Sequence, residues 1–509
     1  MILPIKVKRQ RHNQFQIQDP LCYISARLNY RDENLNSLVW FRNDLRTSDH
    51  HALHEACKAD KPVIALYVIN PMAWRQHDKS ANQVSLILKR LHHLKSELMA
   101  IGIPLLIETS KNPNPRHIIA DTLSRYSVSS LYFNKLYEVD EAKSDSEIEN
   151  DCRKEDIEIR TFDDRLLAKP VDIKTQAGSP YTVFTPFKKA LIKHWMNFGE
   201  PKPLSPGRPQ KICTLKSSQI PSKVEGFDIS IDNQRWPSST ALIEKRLNEF
   251  CQQSILHYDS QRNFPAVDGT SALSPYLAIG AISARQCLSH ALSVNNGHFT
   301  GYNTNVECWI SELIWREFYT HILIHFPRVC RGKAFKTNTD TLPWSKDQAL
   351  LDDWKRGNTG IPLIDAAMRQ LIQTGWMHNR LRMVTAMYLT KNCLINWQEG
   401  ERFFMQHLID GDFASNNGGW QWAASTGTDA APYFRIMNPV TQSERFDPEG
   451  VFLRRYCPEL SHLSRKAIHD PTTHAPHLLK GYPRRKVDLK TSRLHAIETF
   501  KNHARNQSC

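Results

Sequence analysis

The chain has 509 residues, 40% of them apolar, and a formal net charge of +14. That length implies two or three domains with sizeable cores, and the lack of any run of about eighteen apolar residues excludes a transmembrane helix. The 11 cysteines are odd in number, scattered and free of CxxC pairs, which argues for reduced thiols and against a disulfide framework or a zinc site, so no metal is expected. The charge suits an acidic partner, nucleic acid being the commonest, but does not by itself select one.

In chain order, residues 1–36 are polar, basic and aperiodic. They are expected to form a disordered extension. The opening apolar run is too short for a signal peptide, so a cytoplasmic protein is expected. From Ser37 short apolar runs recur at Leu38–Phe41, Val63–Ile69, Pro104–Ile107, Leu131–Phe133 and Ile157–Phe162. Helical stretches alternate with them, such as Asn82–Ala100, where Leu86, Leu91, Leu94 and Leu98 keep helical spacing. The alternation predicts a parallel five-stranded α/β domain over 37–170. No GxGxxG follows the first strand, so the ordinary dinucleotide fingerprint is absent.

Residues 171–237 read as a linker, rich in Pro, Lys and Ser from Gly199 onward. From 238 to 470 the periodicity is helical throughout. Trp309, Glu312, Trp315, Arg316 and Tyr319 share one helical face, and Trp376, Asn379 and Met383 another. Residues 471–509 read as a basic, His-rich tail with few core signals.

Between Trp376 and Arg435 the chain packs Trp376, Trp397, Trp420 and Trp422 among Asn379, Arg382, Met383, Asp410, Asp412 and Asn416. Tryptophans that only fill a core do not need so many polar neighbours. Indoles beside Arg, Asp and Asn suit a planar, polar, redox-active ligand.

This segment, LVWFRNDLRTSDHHAL from Leu38, YDSQRNFPAVDGTSALSPYLAIGAIS from Tyr258 and WISELIWREFY from Trp309 resemble the photolyase/cryptochrome family. The match runs from Leu38 to Leu460 and is nearest to bacterial class I cyclobutane pyrimidine dimer photolyases. The resemblance implies an α/β antenna domain joined by a long linker to an all-helical FAD-binding domain. It also implies light-driven repair of UV-damaged DNA by a monomeric carbon–carbon lyase.

Residue roles follow from the same resemblance. Tyr258, Thr270, Ser271, Ala272, Leu273, Ser274, Trp309, Arg316, Trp376, Arg382, Asp410, Gly411, Asp412 and Asn416 would hold FAD. The hydroxyls of Thr270, Ser271 and Ser274 precede a helical stretch, and their residue types alone fit a diphosphate or simple N-capping. Arg382 and Asp412 are expected to pair over the flavin ring, with Asp410 accepting a hydrogen bond from the cofactor. Asn416 would face flavin N5, where an amide donates or accepts without forcing a proton onto the ring; plant-type cryptochromes carry Asp there.

Glu312, Trp315, Asn379, Met383 and Trp422 would form the pocket for a flipped dimer. The (6-4) photolyases place histidines at the positions of Asn379 and Met383, because their reaction needs an acid/base group. Trp420, Trp397 and Trp344 would relay electrons between flavin and surface, and Arg262, Arg316, Arg380 and Arg435 would grip DNA phosphates. Asp140, Glu141, Cys330 and Arg331 match an antenna site for 5,10-methenyltetrahydrofolate, a deazaflavin or no antenna being the alternatives. Asp140 stands where near relatives carry Asn, and Arg331 where they carry Lys. Rival readings are a cryptochrome-type blue-light photoreceptor, a (6-4) photolyase and a flavin reductase, the last lacking a nicotinamide fingerprint.

Overall fold

The structure, a computed structural model, describes residues 35–228 and 235–506. Most of the expected disordered extension lies outside the described residues. The first strand already begins at Asn36.

Strands β1 (Asn36–Phe41), β2 (Val63–Ile69), β3 (Leu105–Thr109), β4 (Val128–Asn134) and β5 (Glu158–Phe162) form one parallel sheet in the order β3-β2-β1-β4-β5. β1, β2 and β4 are almost wholly buried, as a sheet covered on both faces requires. Alternate side chains serve two cores. Leu38, Trp40, Ile64, Leu66, Leu131 and Phe133 pack with Ile119, Leu123 and Ile148 of the helices Arg116–Arg125 and Val139–Lys154. Val39, Phe41, Ala65 and Tyr67 join Leu86, Leu91, Leu94 and Leu98 of the helix Ala81–Met99, and this core continues into the helical region through Trp309, Leu313 and Ile314. A second helical core holds Trp354, Met368, Leu381, Trp397, Phe404 and Trp420.

Buried ion pairs lock the α/β unit to the helical one. Arg285, on the helix Ala284–Val294, donates to both Asp49 oxygens at 3.0 Å and to Asp164 at 2.7 Å, while Arg46 also bonds Asp164. Burial alone would raise Asp164, but Arg46, His51 and Arg285 outweigh it and hold the carboxyl well below its usual range.

Two stretches differ from the sequence expectation. The segment 171–237 contains the helix Phe184–Phe198, which buries Phe184, Phe187, Leu191, Ile192 and Trp195. Linker-like composition starts only at Gly199, the C-cap, with φ 86°. The tail is not featureless either. Tyr482 is buried and donates to Asp365, and the helix Leu489–Asn506 buries Ala496 and Phe500 against Leu342 and Leu394. Two apolar residues one turn apart suffice to dock a helix whose other faces are basic, so overall composition hid it.

Candidate functional site

The helix Thr304–His325 starts at Asn303, whose side chain accepts from the backbone N–H of Asn305 and Val306. Its shared face then diverges by depth. Trp309 is buried, 5.0 Å from Phe250. Glu312 is half-buried and accepts from Arg262 Nη1 at 2.7 Å, and that guanidinium lies 5.3 Å over the Tyr258 ring. Trp315 is stacked on Phe184 with ring centroids 3.6 Å apart and planes within 4°. One face of this indole is therefore covered by a residue from the 171–237 segment, a partner that no residue spacing singles out.

Arg316 does not sit at a DNA-facing rim. Its Nη1 donates to the Arg165 carbonyl at 3.3 Å. Burial and the neighbouring Arg165 bring the guanidinium down to about 9. The carbonyl it bonds belongs to the α/β unit, so the side chain is turned inward and its assignment to DNA is corrected.

The helix Phe413–Ala424 carries Asn416, Trp420 and Trp422 and crosses Thr304–His325 closely, because Gly418 leaves room for the Tyr319 ring. It also packs on the helix Asn379–Met387. Trp376 lies before that helix, whose N-cap is His378, so it does not share a helical face with Asn379 and Met383. Asn379 is exposed, and Met383, Trp422, Glu312 and Trp315 are half-buried.

The expected Arg382–Asp412 pair is not formed. Arg382 Nη2 donates to both Asp410 oxygens, at 3.0 and 2.8 Å, and its Nε to the Met377 carbonyl at 2.8 Å. Asp412 instead caps its helix, accepting from the Ser415 N–H at 3.0 Å and hydroxyl at 2.7 Å, and pairs with Arg165. A carboxylate at an N-cap is committed to the first-turn donors, which leaves Asp410 for Arg382. Gly411 lies between them, and its carbonyl accepts from Gln83 Nε2 at 2.8 Å.

At the turn from Thr270 to Ser274, Ala272 is left-handed, with φ 49°. The helix Ser274–Ala278 follows Leu273 and has no side-chain cap. The N-capping alternative for the three hydroxyls is thus not realised.

Asn416 Nδ2 donates to the Glu401 carbonyl at 3.0 Å, leaving Oδ1 as an acceptor. Glu401 accepts from Asn417 at 2.8 Å, and burial pushes its carboxyl up to about 7. Trp420 and Trp397 are buried in one cluster, and half-buried Trp344 packs against its edge. Trp420 lies over Gly400, where a Cβ would overlap the indole.

A cavity of about 430 Å³ lies between the α/β unit and the helical one, with Gly411 and Asp412 of the expected flavin set in its wall. Trp40, Phe41, Leu136, Glu138, Asp140 and Glu141 line it from the C-terminal ends of β1 and β4, with Cys330, Arg331 and Gly411 opposite. That is where the strand order reverses, the place where such sheets bind ligands. The Oε2 atom of Glu141 is buried without a partner, and burial with Glu138 nearby raises this carboxyl. Asp140 accepts from Gln76 at 3.1 Å, and His77 Nε2 lies 3.6 Å from Asp140 and 3.8 Å from Glu141.

The basic positions fall into two kinds. Arg262 is engaged by Glu312, and Arg380 by Asn263 at 2.6 Å with its guanidinium 4.7 Å over Phe446. Arg435 is exposed.

Two family models match: "DNA photolyase" over residues 37–207 and "FAD binding domain of DNA photolyase" over residues 309–502. The chain is 42% identical to the deoxyribodipyrimidine photo-lyase of Escherichia coli K12 over 468 residues, covering 91% of this chain and 98% of that protein. It is 40% identical to the Vibrio cholerae protein of the same name, over 91% of this chain and 99% of that one. Among solved structures, a class III photolyase from Agrobacterium tumefaciens superposes with a TM-score of 0.82 at 31% identity, over 94% of this chain and all of that one. A Synechocystis cryptochrome gives a TM-score of 0.82 at 26% identity, over 92% of this chain and 100% of that one.

Proposed function

The chain belongs to the DNA photolyase family, and from that premise we propose that it is the light-dependent lyase that splits cyclobutane pyrimidine dimers in UV-damaged DNA. The observation that carries the dimer-specific reading is that Glu312, Trp315, Asn379, Met383 and Trp422 are all half-buried or exposed on three helices, of which Phe413–Ala424 packs on both Thr304–His325 and Asn379–Met387. Together they offer two indoles, an amide, a thioether and one carboxylate. None of the groups at positions 379 and 383 titrates near neutral pH, as (6-4) chemistry would need.

The residues fit FAD: the hydroxyls at 270–274 cap no helix and Asn416 Oδ1 remains as an acceptor, with the Arg382–Asp410 pair held on the preceding segment. When bound in its reduced form, FADH−, and excited by light, the cofactor would supply an electron to the dimer and take it back after the ring splits, so the chemistry would have no net redox change. The chain supplies position and electrostatics. Trp315, backed by Phe184, and Trp422 offer faces on which a flipped pyrimidine pair stacks. Glu312, held by Arg262, hydrogen-bonds the polar edge of the dimer, and Asn379 orients it. Asn416 Oδ1 accepts a hydrogen bond and, being an amide, transfers no proton. Trp344, Trp397 and Trp420 carry electrons inward from the surface.

The α/β unit is the antenna module, with methenyltetrahydrofolate in the cavity at β1 and β4. The unpartnered Glu141 oxygen there suits the N–H-rich edge of a pterin. Arg262, Arg380 and Arg435 hold DNA phosphates, so affinity falls with salt but carries no sequence preference. No helix among the described residues is long and apolar enough to cross a membrane. The proposed lyase acts as a monomer, in the cytoplasm. The deciding experiment incubates pre-reduced protein with a thymine-dimer oligonucleotide under blue light and in the dark. Light-only restoration of intact thymines is expected. Repair of a (6-4) oligonucleotide but not of the dimer, or repair of neither, would overturn the reading.

A further inference from the structure

Glu312 and Arg262 are assigned to different parts of the substrate, the dimer and the phosphate backbone, yet in the structure they are each other's partner. Arg262 Nη1 donates to Glu312 Oε1 at 2.7 Å, the two side chains being 22% and 30% exposed. The same Nη1 donates to the Cys308 thiol at 2.9 Å, and that thiol donates to Asp259 at 3.3 Å. Both hydrogens of the nitrogen that faces Glu312 are thus committed, and the positive charge of Arg262 is compensated where DNA would meet it.

Its basic neighbours are not compensated. Arg380 is held by the neutral Asn263 side chain at 2.6 Å. Its guanidinium lies 4.7 Å over the Phe446 ring, and that of Arg445 lies 5.0 Å over the same ring. Neither arginine pairs with a carboxylate among the described residues. Burial lowers the Arg380 guanidinium, and the nearby Arg262 and Arg445 lower it further. Three guanidiniums therefore feel one another at this rim, and of the three only Arg262 carries a carboxylate partner.

We infer that the Glu312–Arg262 pair makes Arg262 a damage-dependent phosphate contact: against intact duplex the pair stays closed, and a flipped dimer, by taking the Glu312 carboxylate, releases Arg262 to a phosphate beside Arg380. Oε2 of Glu312 is free to meet the N–H edge of the dimer first. Through the exchange each charge keeps a partner, Glu312 passing from a guanidinium to the dimer and Arg262 from a carboxylate to a phosphate. Intact DNA offers Arg262 a phosphate but offers Glu312 nothing. Opening the pair there would strand a half-buried carboxylate and leave it facing an anionic backbone. Arg262 is thus a specificity-determining residue, and discrimination comes from an unfavourable term against the wrong substrate as well as from contacts to the right one. This rests on the dimer reading above and deepens it.

The test measures binding of the full-length holoenzyme, in the dark, to a thymine-dimer duplex and to the same duplex without the dimer, over a series of salt concentrations. The slope of log affinity against log salt counts phosphate contacts, at about 0.9 for each. Arg262→Gln loses about 0.9 of slope on the dimer duplex and nothing on the intact one. Glu312→Gln, of the same shape but uncharged, frees Arg262 on both substrates, so the slope on intact duplex steepens by about 0.9 and the gap between the substrates narrows by that amount. The double variant Glu312→Gln/Arg262→Gln returns the intact-duplex slope to its wild-type value. Arg262→Gln lowering both slopes alike, or Glu312→Gln leaving the intact-duplex slope unchanged, would overturn the exchange, and repair of the dimer by the wild type under blue light would leave the repair reading standing. A wild type that repairs no dimer would overturn both.

Discussion

Glu312 and Arg262 are held together at 2.7 Å at a half-buried site, so each depends on the other for its charge partner. Glu312→Ala should retain flavin and lower the repair yield by about tenfold, the worth of one hydrogen bond to a charged group; an unchanged yield removes its assigned role. Trp420→Phe should abolish photoreduction of oxidised flavin and spare repair once the flavin is reduced chemically. Photoreduction at the wild-type rate would break the relay. At this scale the residue types around Trp376–Arg435 were legible because polar groups clustered among indoles signal a ligand. Pairing was not. Arg382 takes Asp410 rather than Asp412 because the start of a helix claims Asp412, and Arg316 turns inward because the neighbouring unit, not its own helix, decides which side is outside.

Two helices meet at glycines. A Cβ on Gly400 would overlap the Trp420 indole, whereas Gly419 has nothing within reach. Gly400→Ala should therefore destabilise the protein by about 1–3 kcal/mol through overpacking and slow photoreduction by displacing Trp420. Gly419→Ala, on the same helix as Trp420, should be neutral or stabilising by about 0.5–1 kcal/mol. Thermal unfolding of the pair separates close approach from helix propensity, and equal melting temperatures would refute the overlap. The helix Leu489–Asn506 makes a similar point. Its Phe500 lies 6.1 Å from Trp344, edge on, so Phe500→Ala should cost about 3 kcal/mol of stability and expose the outer end of the relay. Helices with long apolar stripes were readable from periodicity; this one, docked through two residues, and Phe184–Phe198, set in a stretch that turns linker-like just beyond it, were not.

For the molecule as a whole, the interface between the two units is both apolar and ionic. Arg285→Ala would leave Asp49 buried without its cation and Asp164 with Arg46 as its remaining arginine, at a cost of about 3–5 kcal/mol in chemical denaturation. Asp164 has a folded-state pKa below its unfolded value, so its contribution is present above about pH 4 and fades as pH falls further. Unfolding free energy measured against pH should drop on the acid side in the wild type and show a smaller drop in Arg285→Ala. A pH-independent wild type would contradict the assignment.

The sequence by itself determined the class of the chain: strand–helix alternation, loss of strand signals after Ser238 and a dense Trp/Asn/Asp/Arg segment are local patterns, set by residue order. Asn379, Met383 and Asn416 are equally local, since an amide or a thioether has its acid–base character wherever it is placed. Only the tertiary structure decided which charges pair, that Phe184 backs Trp315, and that the antenna cavity forms where the strand order reverses. Each of those joins segments far apart in the chain, and no spacing rule along one segment encodes contact with another.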